Sequence, residues 1–156
     1  MAEPRIWFED LIPGEEYVLG SMTLSEADIV AFASAWDPQP MHLGRAAAGD
    51  TFLGEFTASG WHTCCVLMRL MCDGFLRDAA GMGAASIEEV RWLEPVHPGD
   101  TLTGKRTVLE ARRYRSRSDR GIVRCRYVLE NQHGETVLVA TFPAFYGCRT
   151  SAEVAS

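Results

Sequence analysis

The 156-residue chain has no excess of positive charge: 15 Lys and Arg stand against 21 Asp and Glu, a net charge of −6. Phosphate neutralisation supplies most nucleic-acid affinity, so a net-acidic chain is a poor general nucleic-acid binder. The five cysteines are an odd number with no paired spacing, which gives no basis for a disulfide framework. Cys64, Cys65 and Cys72 lie in an apolar run, where thiols act as small hydrophobes. A reducing compartment is expected. Met1 to Arg5 lacks the basic-then-apolar layout of a secretion signal, and the expected location is cytoplasmic. No apolar run suits a bilayer, because Trp61 to Leu76 is interrupted by His62, Arg69 and Asp73. Neither G-x-G-x-x-G nor a Walker loop nor G-x-S-x-G occurs. His62 and His97 stand without ligand spacing, so neither a metal nor a separate cofactor is expected.

What the chain does have suits one globular unit. A domain of this length buries about two-thirds of its unfolded surface and needs no staple. Residues 1–148 are expected to form it, with a small polar tail, 149–156, expected to be disordered. Two helices stand out. The first runs from about Ser25 to Trp36, with Thr23 and Glu26 as a capping box. Its Ile29, Phe32, Ala33 and Trp36 form one apolar stripe. Pro38 and Pro40 end it. The second helix runs from about Ser59 to Arg77 and is apolar on nearly every face, which predicts that it is surrounded. In so small a domain the wrapping is a curved sheet. Segments near Tyr17–Thr23, Ala84–Leu93, Thr101–Tyr114, Gly121–Asn131 and Thr136–Tyr146 carry the β-branched and aromatic residues to supply it. His97-Pro98-Gly99-Asp100 predicts a type II turn. Ser118–Gly121 and Asn131–Gly134 predict short loops with glycine at the left-handed position.

Three groups carry candidate chemistry. In Trp36-Asp37-Pro38-Gln39-Pro40-Met41-His42 a carboxylate and an imidazole stand five positions apart on a proline-stiffened segment. Such a pair can hold and deprotonate a water. The plain alternative is a polar helix end and a surface histidine. Ser59-Gly60 opens the second helix, where free backbone N–H groups and no side chain suit a carbonyl oxygen that gains negative charge. Capping and close packing would explain it equally. Arg112, Arg113, Arg115, Arg117, Arg120, Arg124 and Arg126 form a basic cluster in which Arg113, Arg115 and Arg117 share a face if the strand is regular. It fits either an anionic partner or a hairpin neutralised by nearby acids.

Together these features resemble the MaoC-like dehydratases, the (R)-specific enoyl-CoA hydratases of the hot-dog fold. The resemblance spans roughly Ile6 to Cys148. It includes the Phe8–Gly14 opening and the Pro98-Gly99-Asp100 turn. It implies an α+β architecture: an antiparallel curved sheet around one long central helix, with a short N-terminal helix carrying the catalytic loop. The family's aspartate falls on Asp37, its histidine on His42 and its oxyanion-binding glycine on Gly60, with Ser59 beside it. Where the family's loop reads Gly-Asp-x-Asn-Pro-x-His-x-Asp, this chain has Trp36, Gln39 and Gly44 at the first Gly, the Asn and the second Asp. The form Asp-Pro-Gln-Pro-x-His looks like a subgroup, with Trp36 and Gln39 as pocket candidates and Arg113, Arg115 and Arg117 as candidate contacts to the phosphates of coenzyme A. The implied reaction is hydration of a trans-2-enoyl-CoA to a (3R)-hydroxyacyl-CoA, or its reverse, with coenzyme A entering only as part of the substrate. The implied assembly is a homodimer or a higher even oligomer. Two other readings stand beside it: an acyl-CoA thioesterase of the same fold, for which Asp73 and Asp78 are the acids near the helix, and a non-catalytic acyl-CoA-binding subunit.

Overall fold

The computed structural model describes residues 3–149. In chain order it contains β1 (Glu16–Thr23), α1 (Glu26–Trp36), α2 (Arg45–Gly49), α3 (Gly60–Met71), β2 (Glu89–Trp92), β3 (Thr101–Arg113), β4 (Arg120–Glu130) and β5 (Thr136–Gly147). The five strands make one antiparallel sheet in the order β1-β3-β4-β5-β2. It curves around α3, which is the expected hot-dog arrangement.

Period-two alternation explains why the sheet wraps. Along β3 the buried positions are Leu102, Gly104, Arg106 and Val108, and along β4 they include Val123, Cys125, Tyr127 and Leu129. These rows meet Val66, Leu67, Leu70 and Met71 of α3, with Phe75 just beyond, in one core. Each buried aliphatic or aromatic side chain contributes roughly 1.5–3 kcal/mol. Gly104 lets the helix come close: a Cβ there would lie 3.2 Å from both Leu19 and Leu70 side chains. Among the described residues no helix is long and apolar enough to cross a membrane.

The structure corrects several expectations. The N-cap of α1 is Ser25, paired reciprocally with Asp28, rather than Thr23 with Glu26. The reason is Leu24, whose N–H donates to Asp100 at 3.0 Å and keeps the chain extended one residue past β1. The second helix is α-helical to Met71 and continues as a π turn, Cys72–Leu76. It is not covered all round, since Trp61, Cys65 and Met68 of one flank are exposed. The strand expected over Ala84–Leu93 shortens to Glu89–Trp92; its small first residues supply little cross-strand packing. Gly99 and Gly134 adopt the left-handed backbone expected of their turns. Gly121 does not; it is there because the Phe8 ring occupies the space of a side chain. At the C-terminus Arg149 is tied down, its guanidinium donating to Asp10 at 2.6 and 2.9 Å and its N–H to Glu9 at 3.2 Å. The rest of the expected tail lies outside the described residues.

Candidate active site

Proline chemistry builds the loop. Helix α1 stops at Trp36, and Asp37 as its C-cap still donates its N–H to Ala33 at 2.9 Å. Pro38 prevents a further turn. Pro40 then opens a 3-10 turn, Pro40–His42, in which the His42 N–H donates to Gln39 at 2.9 Å. The chain returns past the same place before α3: the Thr57 N–H donates to Met41 at 3.0 Å, and the Ala58 N–H to Val96 at 2.8 Å. Asp37, His42 and Ser59 therefore converge from three turns of chain on the N-terminal end of α3.

His42 Nε2 lies 3.6 Å from Asp37 Oδ2. The Ser59 hydroxyl donates to the same Oδ2 at 2.6 Å, and the Gln39 amide donates to Oδ1 at 2.7 Å. Ser59 also caps α3, accepting from the Trp61 N–H at 3.2 Å. These donors, the Ser59 hydroxyl first, hold the Asp37 carboxyl below its ordinary value. On the other ring nitrogen, His42 Nδ1 sits 2.6 Å from the Thr57 carbonyl. A carbonyl oxygen only accepts, so Nδ1 carries the proton. In the neutral ring Nε2 then presents a lone pair toward Asp37. Two acceptors facing each other at this distance call for a shared donor, and a water giving one hydrogen to each satisfies both.

Gly60 comes next on the same helix end. Among the described residues nothing accepts from its N–H. It borders a cavity of about 290 Å³ with Ala58, Thr63, Trp92 and Leu93. Trp92 fixes it from one side: the indole N–H donates to the Gly60 carbonyl at 2.8 Å, and a Cβ on residue 60 would lie 2.7 Å from that nitrogen. Glycine is thus required here for close approach. Neither Trp92 nor Thr57 figured in the sequence reading. Thr57 acts through its backbone carbonyl, which leaves no mark in a side-chain pattern, and Trp92 is a lone residue at a strand end.

Of the two pocket candidates, Gln39 joins the pair through its amide, whereas Trp36 is 79% exposed. The arginines do not line one face, because β3 ends at Arg113 and a turn follows. Arg113 pairs with Glu9 at 2.8 Å, Arg117 with Asp119 at 3.2 Å, and Arg115 is exposed. This hairpin end adjoins the chain beyond α3, not Gly60: the Cys148 N–H donates to Asp119 and the Gly147 N–H to Ala80. Asp73, the acid a thioesterase reading would use, is bound by Arg69 at 2.6 Å and Arg77 at 3.1 Å. Asp78 lies past the same end, where its carbonyl accepts from the Arg5 and Ile6 N–H groups.

A five-stranded antiparallel sheet curved around one helix defines a hot-dog domain. The chain matches the MaoC like domain over residues 10–128 and belongs to that family. It is 33% identical over 114 residues to Protein MaoC of Klebsiella aerogenes, covering 70% of this chain and 33% of that protein, so it spans about a third of that relative's length. Among solved structures it is similar to the MaoC-like dehydratase from Rhodospirillum rubrum, with TM-score 0.83 and 36% identity over 93% of this chain and 99% of the other. The (R)-hydratase from A. caviae involved in PHA biosynthesis shares the fold at TM-score 0.70, with 21% identity over 87% of this chain and 97% of the other.

Proposed function

We propose that this domain adds water across the double bond of a trans-2-enoyl-CoA to give a (3R)-hydroxyacyl-CoA, or removes it in reverse. The observation that carries the reading is the 3.6 Å approach of His42 Nε2 to Asp37 Oδ2, with Nδ1 committed to the Thr57 carbonyl. Membership of the MaoC family and likeness to a dehydratase and an (R)-hydratase support it.

The thioester oxygen rests on the Gly60 N–H, at the positive end of the α3 dipole, where enolate charge develops. Water lies between Nε2 and Oδ2 with a lone pair toward C3. Asp37, already holding two donors, is the weaker base and orients the water. His42 takes a proton from water as the C3–O bond forms, and the C2–C3 π electrons move into the enolate. The imidazolium then returns a proton to C2, so one water is added and the pair is restored. Such acid–base help is worth about 10²–10⁴ in rate. Five free thiols support a reducing, cytoplasmic setting. The four-residue outer strand β2 and the exposed Trp61, Met68 and Ile87 support assembly as a homodimer or a higher even oligomer.

Loss of the conjugated-enone absorbance on mixing the protein with short and branched trans-2-enoyl-CoA tests this directly. Wild-type protein should turn over at least one of them and Asp37→Asn, folded by circular dichroism, should lose about a hundredfold or more. Turnover undiminished in Asp37→Asn, or release of free thiol from saturated acyl-CoA in its place, would overturn the reading.

A further inference from the structure

At the other end of the central helix a buried cation stands without a hydrogen bond. Arg106 points inward from β3 and is 3% exposed. Its Nε and Nη1 have no hydrogen-bond partner among the described residues. Its nearest acid is Glu15, whose oxygen lies 3.7 Å from Nη2, beyond hydrogen-bond reach, on a half-exposed side chain. The guanidinium carbon lies 4.5 Å from the Phe75 ring centroid and 5.4 Å from that of Tyr17. Aromatic rings therefore cover its faces, while its N–H edges lack acceptors. Removing a guanidinium from water without a close partner is costly, and the usual remedy is a bound counter-charge.

The surroundings say what would supply it. Arg106 borders a cavity of about 220 Å³ whose walls are Ile6, Leu11, Tyr17 and Phe75, with Asp10 and Glu15 at its edge. That is several times the share of one water in the liquid, roughly 30 Å³. The ionisable neighbours inside the core carry no charge to balance it: burial pushes the Tyr146 hydroxyl up to about 12, the Tyr127 hydroxyl higher, and the Cys125 thiol up. Asp10 is already neutralised by Arg149 and by the Trp7 N–H at 2.8 Å. Glu15 is the one loosely held acid, placed where it would have to swing aside. A cationic floor with apolar walls fits an oxyanion on a short hydrocarbon body better than a fully hydrated inorganic ion.

We infer that this cavity is a second binding site, separate from the acid–imidazole pair, which takes a short-chain carboxylate on Arg106 with Glu15 as its displaceable counter-ion. The inference is independent of the proposed hydratase activity, because binding there is read without turnover.

The test is a titration of the folded protein with sodium butyrate, acetate and inorganic phosphate at matched ionic strength, following the ring resonances of Tyr17 and Phe75. Butyrate should give a saturable shift centred on those rings. Arg106→Lys, which keeps the charge but loses the planar donor set, should weaken binding about tenfold or more. Glu15→Gln removes the competitor at the rim and should tighten binding by up to about fivefold. Should Arg106→Lys fail to fold, Glu15→Gln decides alone, since its change is half-exposed. No saturable shift with butyrate, equal response to phosphate, or unchanged affinity in Glu15→Gln would each overturn the inference.

Discussion

At the N-terminal end of α3 the side chains of Asp37, Gln39, His42 and Ser59 bond to one another or to a backbone carbonyl, and His42 Nε2 faces Asp37 Oδ2. At the C-terminal end a π turn brings Phe75 against Arg106, and that guanidinium is buried as His42 is but makes no hydrogen bond among the described residues. The contrast is in how polarity is held. The first end fixes tautomer and carboxylate direction within the fold itself, which under the proposed function would leave little reorganisation for the reaction. The second leaves a full charge loosely compensated, a condition that favours a ligand over self-sufficiency.

His42→Ala should give the largest effect. If the first end is the reaction centre, kcat/KM on a trans-2-enoyl-CoA falls about 10²–10⁴-fold. The fold loses the bond to the Thr57 carbonyl, worth about 1 kcal/mol, together with the packing of a buried ring. Steady-state kinetics and urea unfolding on the same sample separate the two. A variant that loses stability but keeps its rate would break the comparison, because the first end would then be scaffold. Gly74→Ala probes the second end. A Cβ there would lie 2.7 Å from the Leu19 carbonyl oxygen and 3.0 Å from its Cα, both backbone atoms that cannot rotate away. The same turn offers the Gly74 carbonyl to the Tyr17 hydroxyl at 3.2 Å. Overpacking of this kind costs roughly 1–3 kcal/mol. Stability should drop while kcat per folded molecule stays put.

The two ends were unequally legible in the sequence. Asp37 and His42 stood out because two prolines between them remove helical continuation and stiffen the loop, a local effect that needs no tertiary information. Ser59 and Gly60 were legible as a helix opening for the same reason. Thr57 was not, since any residue supplies a carbonyl. The choice of Ser25 over Thr23 as N-cap depended on Leu24 reaching Asp100 across the fold. Both hydroxyl residues have an acid three positions on, so the local pattern is degenerate. Arg106 does leave a signal: it falls in the same alternating row as Leu102, Gly104 and Val108, which puts a charge on the inward face. The π turn had none, because an extra residue in a helical turn is decided by packing against β1.

Ser59→Ala sharpens the first end with a smaller effect. It removes the cap of α3, about 1 kcal/mol. It also removes the donor that does most to hold the Asp37 carboxyl low. A carboxyl lowered in the folded state contributes stability above its unfolded value of roughly 3.9, and that contribution disappears as pH falls through the folded value. The deficit of Ser59→Ala against wild type, measured by urea unfolding, should therefore be largest near neutral pH. It should shrink toward the capping loss alone in strong acid. A deficit that grows on acidification would mean that Ser59 does not act through the Asp37 carboxylate.

The smallest expected effect lies outside both ends, at the β3–β4 hairpin. Among the described residues the Arg117 guanidinium pairs only with Asp119 in its own turn, and both side chains are more than half exposed. Arg120 also binds Asp119, through two bonds of 3.0 Å, so the acid stays pulled well below the usual carboxylate range when Arg117 is gone. Solvent and salt screen what remains. Arg117→Ala should leave the melting temperature unresolved from wild type and KM for an enoyl-CoA within about twofold. A KM that rises tenfold with kcat unchanged would instead mark uniform binding of the substrate's charged portion. The hairpin would then have to reach a neighbouring copy's site, since its own contacts lie past the far end of α3.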